Sequence, residues 1–233
     1  MQTTKYKSTN LILLYAIIAV INLIGNSCTI PILIYLSKPF LMPILLLFYW
    51  QNRLPNQHLK FQRLIGVGLV FAFLGDMFLL FEGSSYFLLG LSCFFMTHIL
   101  YSIAFFLRMS IPKWIHMLAT VPFLVYYIWM GNFLFGQLSA DFKIPVLAYS
   151  SIITIMAIIG TLLSFRLPYP KSYFLFMGIL LFVISDSYIA FERFTDLEIP
   201  FPRFTIMSTY ILAQLGIVLG TLVRTDRTQV KAQ

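Results

Sequence analysis

The sequence predicts an all-α, polytopic membrane protein: one integral membrane domain over residues 1–233, folded as an eight-transmembrane-helix bundle. Three observations carry this. Of the 233 residues, 60% are hydrophobic and 10% charged, whereas a soluble domain has about 25% charged residues and could not cover its surface with so few. The apolar residues gather into eight runs, each near the roughly 20 residues that a helix needs to cross the hydrocarbon. The connections between runs are short, which leaves no room for an inserted soluble domain.

The first run is residues 11–27. Lys5 and Lys7 precede it, but no small-residue cleavage site and soluble domain follow, so it reads as a span rather than a removable signal peptide. The second, 30–50, carries Lys38 beside Pro39, with Pro43 one turn further; the two prolines interrupt the helix and free backbone carbonyls around the lysine. The third, 64–81, starts after Arg63 and stops at Glu82, and the fourth, 86–107, stops at Arg108. The fifth, 114–130, has amphipathic rings at both ends, Trp114 and Trp129, as interfacial positions favour. The sixth, 145–165, lies between Lys143 and Arg166, the seventh, 173–194, between Lys171 and Asp196, and the eighth, 204–223, between Arg203 and Arg224. Cys28 and Cys93 fall in or beside these runs and read as buried free thiols, with neither a disulfide framework nor a metal site behind them.

Lys and Arg set the orientation. One side of the membrane receives Lys5, Lys7, Arg53, Lys60, Arg63, Arg108, Lys113, Arg166, Lys171, Arg224, Arg227 and Lys231, twelve in all, and the other only Lys143, Arg193 and Arg203. Both termini are therefore expected in the cytoplasm. The net charge of +8 reflects this loop bias, and no nucleic-acid partner is expected. Short loops favour a bacterial inner (plasma) membrane.

An internal repeat is visible at an offset of 110 residues. GDMFLLFE, residues 75–82, aligns with SDSYIAFE, residues 185–192, and Gly68 with Gly178 under the same shift. The third and seventh spans run in the same direction, so the expected duplication is a parallel 4+4 repeat.

Four ionisable side chains lie inside spans: Lys38, Asp76, His98 and Asp186. Each costs at least about 2.5–3.5 kcal/mol to insert, so each needs a reason. Asp76 and Asp186 each sit about six residues, or roughly 9 Å, below an interfacial Glu (Glu82, Glu192). Lys38 and His98 also fall in the outer half, and Tyr101, Tyr149, Ser150 and Gln214 join them, which suggests one polar cavity opening outward. Taken alone, His98 reads as a packing residue, and Tyr101, Tyr149 and Gln214 as bridges between helices. The aspartate pair is harder to explain as packing. Two carboxyls at equal depth with a single amine nearby have unequal protonation demands, one held protonated and the other ionised, and such a pair can serve as acid and base.

Other chemistries find little support. The chain has no Gly-rich phosphate loop, HExxH or GxSxG. One His and two Asp fall short of the ligand set that a catalytic zinc wants, so no metal is expected. Ser185 and Ser187 flank Asp186 but point to other helix faces.

SKPFLMP (residues 37–43), LGD (74–76), THILY (97–101), FVISDS (182–187) and YILAQ (210–214), in this order on successive spans, resemble the YhhN family, whose animal members are transmembrane lysoplasmalogenases. The resemblance runs from the second span to the eighth. It implies an ether hydrolase that cleaves the vinyl ether bond of lysoplasmalogens, with a lysophospholipid substrate drawn from membrane lipids and no cofactor or metal. It also implies catalytic roles for Asp76 and Asp186, with Lys38, His98, Tyr101, Tyr149 and Gln214 supporting or binding substrate. A vinyl ether is cleaved by protonating its β-carbon and capturing the resulting oxocarbenium ion with water. One aspartate would be the acid and the other the base; sequence does not assign which.

The residues also fit two other classes. A proton-coupled small-solute transporter would use intramembrane carboxylates as a relay, although its site would be expected at the midplane. A lipid-binding membrane protein would hold its ligand without turnover. Head-group preference and oligomeric state are not written in the sequence.

Overall fold

The computed structural model describes residues 9–53, 58–109 and 112–222. Lys5, Lys7, Val223, Arg224, Arg227 and Lys231, used above for orientation and for the end of the eighth span, lie outside the described residues. Among the described residues all regular structure is helical: α1 (Thr9–Ser27), α2 (Pro31–Asn52), α3 (Leu59–Phe78), α4 (Ser84–Arg108), α5 (Trp114–Leu118), α6 (Val121–Phe135), α7 (Ala140–Ser164), α8 (Lys171–Phe194) and α9 (Pro202–Thr221). Eight membrane-length segments result, because α5 and α6 together make one, and the protein is a multi-pass integral membrane protein.

Four elements depart from expectation, among them the sixth span, which begins at Ala140 rather than at 145 and takes Asp141 and Lys143 into its first turns. The fifth span is broken at Ala119–Thr120: Pro122 opens α6 without an N–H for the preceding turn, and the Thr120 hydroxyl donates to the Met117 carbonyl at 2.7 Å. The third begins at Leu59, ahead of Lys60 and Arg63, because long basic stems can reach the interface from the first turns of a helix. α2 runs unbroken through Pro39 and Pro43, as spans tolerate proline when neighbours take over the freed carbonyls. Both cysteines are free, but Cys28 is exposed at the α1–α2 turn and Cys93 half-buried, a correction to their expected burial.

The bundle is apolar outside, and its largely apolar interior also holds a set of polar side chains. Leu13, Leu36 and Phe106 are more than 60% exposed, a surface suited to lipid. Asn22, Gln62, Asp76, His98 and Gln214 are buried. Neighbours in sequence pair as antiparallel helices, α1 with α2, α3 with α4 and α8 with α9, while α4 against α7 and α9 against α1 and α2 join the pairs. With no hydrophobic drive between helices in lipid, close approach does the work. A Cβ on Gly178 would lie 2.6 Å from the Ile217 nitrogen, and one on Gly216 would lie 2.8 Å from the Phe174 carbonyl.

Gly178→Val is therefore expected to lower stability by about 1–3 kcal/mol through overpacking. Gly131→Val, where a Cβ meets nothing within 4 Å, should be near neutral. Reversible unfolding of the two variants in detergent checks this; equal stabilities would remove the backbone contact as a source of cohesion.

Candidate active site

Two polar clusters lie inside the bundle, one around each intramembrane aspartate. In the first, Lys38 of α2 places Nζ 3.6 Å from Oδ1 of Asp76 on α3, and the Tyr210 hydroxyl of α9 donates to Asp76 Oδ2 at 2.9 Å. All three side chains are buried. Asn22 of α1 supports the same region, donating at 2.9 Å to the Ser37 hydroxyl next to the lysine. An ammonium and a carboxylate buried together replace lost hydration by mutual attraction, and removing either leaves a bare charge.

The second cluster joins α4, α7 and α8. The Tyr149 hydroxyl donates to Asp186 Oδ2 at 2.5 Å, and His98 Nε2 lies 3.1 Å from the same oxygen and 3.0 Å from the Tyr149 oxygen. His98 is fully buried, and its Nδ1 has no hydrogen-bond partner among the described residues. In the tautomer that carries its proton on Nε2, His98 and Tyr149 both donate to a single carboxylate oxygen.

Aromatic rings partition the clusters. Phe182 packs edge-on against His98 at 4.8 Å and against Tyr210 at 5.7 Å, and Phe94 packs edge-on against Tyr210 at 5.7 Å. No hydrogen bond or ion pair links Asp76 with Asp186 among the described residues. The single polar cavity expected from equal depth therefore resolves into two clusters, because depth along a helix does not fix the face on which a side chain sits. Tyr101 and Gln214 form a further pair: the tyrosine hydroxyl donates to Gln214 Oε1 at 2.9 Å and ties α4 to α9. The Tyr101 ring lies flat over Gly68, where any Cβ would collide with it.

The two aspartates differ in access. Asp186 and Tyr149 line two apolar clefts, while Asp76 and Lys38 line neither. The first cleft, about 40 Å³, runs past Leu79, Phe87, Phe94 and Phe194. The second, about 60 Å³, lies between α6, α7 and α8 and includes Ser150, whose hydroxyl donates to the Leu147 carbonyl. It continues past Tyr126 and Ser187, themselves hydrogen-bonded at 2.5 Å, into a groove of about 440 Å³ along α8. Among the described residues, no three side chains of His, Cys, Asp or Glu converge on a point that would hold a metal ion.

Tyr210 was not singled out from sequence, since a tyrosine in a span is common. A signal existed: THIL at residues 97–100 corresponds to TYIL at 209–212 under a shift of 112 residues. Tyr210 then occupies toward Asp76 the place that His98 takes toward Asp186. Likewise Lys38 and Tyr149 each approach one aspartate, Asp76 and Asp186 respectively.

The YhhN family model matches residues 33–221. The chain is 34% identical over 161 residues to the protein named lysoplasmalogenase TMEM86A of Bos taurus, covering 68% of this chain and 65% of that protein. It is 33% identical over the same length to its Homo sapiens counterpart, with the same coverage. To lysoplasmalogenase TMEM86B of Rattus norvegicus it is 32% identical over 136 residues, 58% of this chain and 52% of that one. The match thus spans less than two thirds of each relative's length. No solved structure matches.

Proposed function

Because this chain belongs to the YhhN family, we propose that it is a lysoplasmalogenase-type hydrolase, releasing a fatty aldehyde and a glycerophospho-base from a lysoplasmalogen. The observation that carries the reading is a carboxyl group, Asp186, set between two hydrogen-bond donors at the meeting point of two apolar clefts. The clefts are lined by apolar side chains that suit an alkenyl chain, and the relatives' names supply the bond to be cleaved.

The geometry supports the following mechanism. Asp186, protonated on Oδ1, delivers its proton to the alkenyl carbon next to the ether carbon; the C=C pair forms the new C–H bond and leaves an oxocarbenium ion. Tyr149 and His98 already donate to Oδ2, so they hold the negative charge as it develops, which lowers the barrier selectively. The carboxylate then faces the cation and takes a proton from the water that bonds to the ether carbon, as glycosidase carboxylates do for a similar ion. The hemiacetal collapses: its hydroxyl proton leaves, the bond to the glycerol oxygen breaks, and that oxygen is protonated. Asp76 acts at one remove. Paired with Lys38, it anchors Tyr210, whose ring backs the Phe94 and Phe182 wall beside the reacting carboxyl. The Tyr101–Gln214 bond holds the helix that carries His98. The loop charges support cytoplasmic termini, an orientation in which Asp186 would lie in the outer half of the membrane, read here as a bacterial inner membrane.

Purified protein should release aldehyde from a 1-alkenyl lysophospholipid and no fatty acid from its 1-acyl counterpart. Uncoupler-sensitive solute uptake into proteoliposomes, with no aldehyde from folded protein, would replace this reading by transport.

A further inference from the structure

At the end of the bundle away from the clefts, where α4 and α7 finish and α5 and α8 begin, lies a cavity of about 470 Å³ lined by Arg108, Lys113, His116 and Arg166 over Leu163 and Phe165. Two cationic side chains from the α4–α5 connection and one from the α7–α8 connection converge there, and no acidic residue lines it. Nor does one stand nearby: among the described residues, every carboxylate side chain (Asp76, Glu82, Asp141, Asp186, Glu192, Asp196, Glu198) belongs to the other half or the opposite loops. The Nη1 atom of Arg108 is buried without a hydrogen-bond partner among the described residues, and its guanidinium lies 5.3 Å from the Phe61 ring on its other side. A buried unpaired donor costs about 1–3 kcal/mol, and more when charged, so this cavity suits an acceptor that none of the described residues supplies. His116 stacks on Phe165 at 4.6 Å and 12°, which fixes its ring in the lining.

We infer that this cavity binds the phosphate of an anionic phospholipid from the leaflet at the basic end of the bundle. A guanidinium fork with an added ammonium suits a phosphate oxyanion, and basic pockets between spans on this side of a membrane take such head groups. The lipid, rather than free phosphate, is favoured by the leucine and phenylalanine floor. It is also favoured by Trp114 and Tyr169, 74% and 83% exposed beside the cavity, which mark head-group depth. The substrate's own head group does not account for the site. Asp186 lies fifteen residues along α8 from Lys171, or roughly 22 Å at the helical rise.

The test uses the full chain in nanodiscs of dioleoylphosphatidylcholine with increasing dioleoylphosphatidylglycerol, reading retained lipid by native mass spectrometry. Wild type is expected to retain the glycerol lipid over the choline lipid. The Lys113→Gln/Arg166→Gln variant, changed at exposed side chains only, should lose at least about fivefold of that preference, as should Arg108→Gln. Lys143→Gln/Arg203→Gln, at the opposite end, should keep it. No preference in wild type, or one that the first two variants leave intact, overturns the site. Competition by inorganic phosphate as effective as the lipid itself overturns the lipid as its ligand.

Discussion

Asp186→Asn is expected to leave a folded protein that has lost about 10²–10⁴-fold in turnover, the usual contribution of a positioned acid and base. The amide is isosteric and can still accept from Tyr149 through its oxygen, so the helices have little reason to shift. It can neither protonate carbon nor take a proton from water. Tyr149→Phe should cost less, because it removes one of two donors to Oδ2 and leaves His98 in place. The measurement is kcat per folded molecule, with folding followed by thermal unfolding in the same detergent. A folded Asp186→Asn protein that keeps a tenth or more of wild-type turnover would rule out this carboxyl as the proton donor.

The largest expected effect on stability comes from the other aspartate. Lys38→Met strands Asp76, buried at 2% exposure, and should destabilise the protein by about 3–5 kcal/mol, the loss seen when one partner of a buried pair is removed. Removing both charges, as Lys38→Met with Asp76→Leu, should recover most of that loss, since well-packed apolar groups can replace a buried pair at little cost. Strictly additive losses would mean that the two groups do not interact. The double variant also separates the two carboxyls by role. Asp76 reaches neither cleft, so the double variant should keep turnover per folded molecule above that of Asp186→Asn by at least about tenfold, given the size of a general acid–base contribution.

The eight crossings were legible because bilayer thickness and charge cost act on local sequence: Arg108, Arg166 and Lys171 end or begin helices near where the hydropathy changes. The break in the fifth span was written in Pro122 but is local chemistry inside an otherwise apolar run. The start of α3 was hidden because Lys60 and Arg63 look like loop charges, yet their stems let the helix begin beneath them. Asp76, Asp186, Lys38 and His98 stood out because each must overcome an insertion cost. Their grouping did not: rotation about each helix axis and packing between distant spans decide that Lys38 meets Asp76 while His98 meets Asp186. Tyr210 escaped notice because a phenol is tolerated in lipid and announces nothing until its partner is known.

Incubation of the purified protein with a 1-alkenyl lysophospholipid in H₂¹⁸O tests the central claim most directly. The account predicts fatty aldehyde release, with the glycerophospho-base unlabelled because water adds to the alkenyl ether carbon. No aldehyde from folded protein, or ¹⁸O in the glycerol hydroxyl, would contradict it.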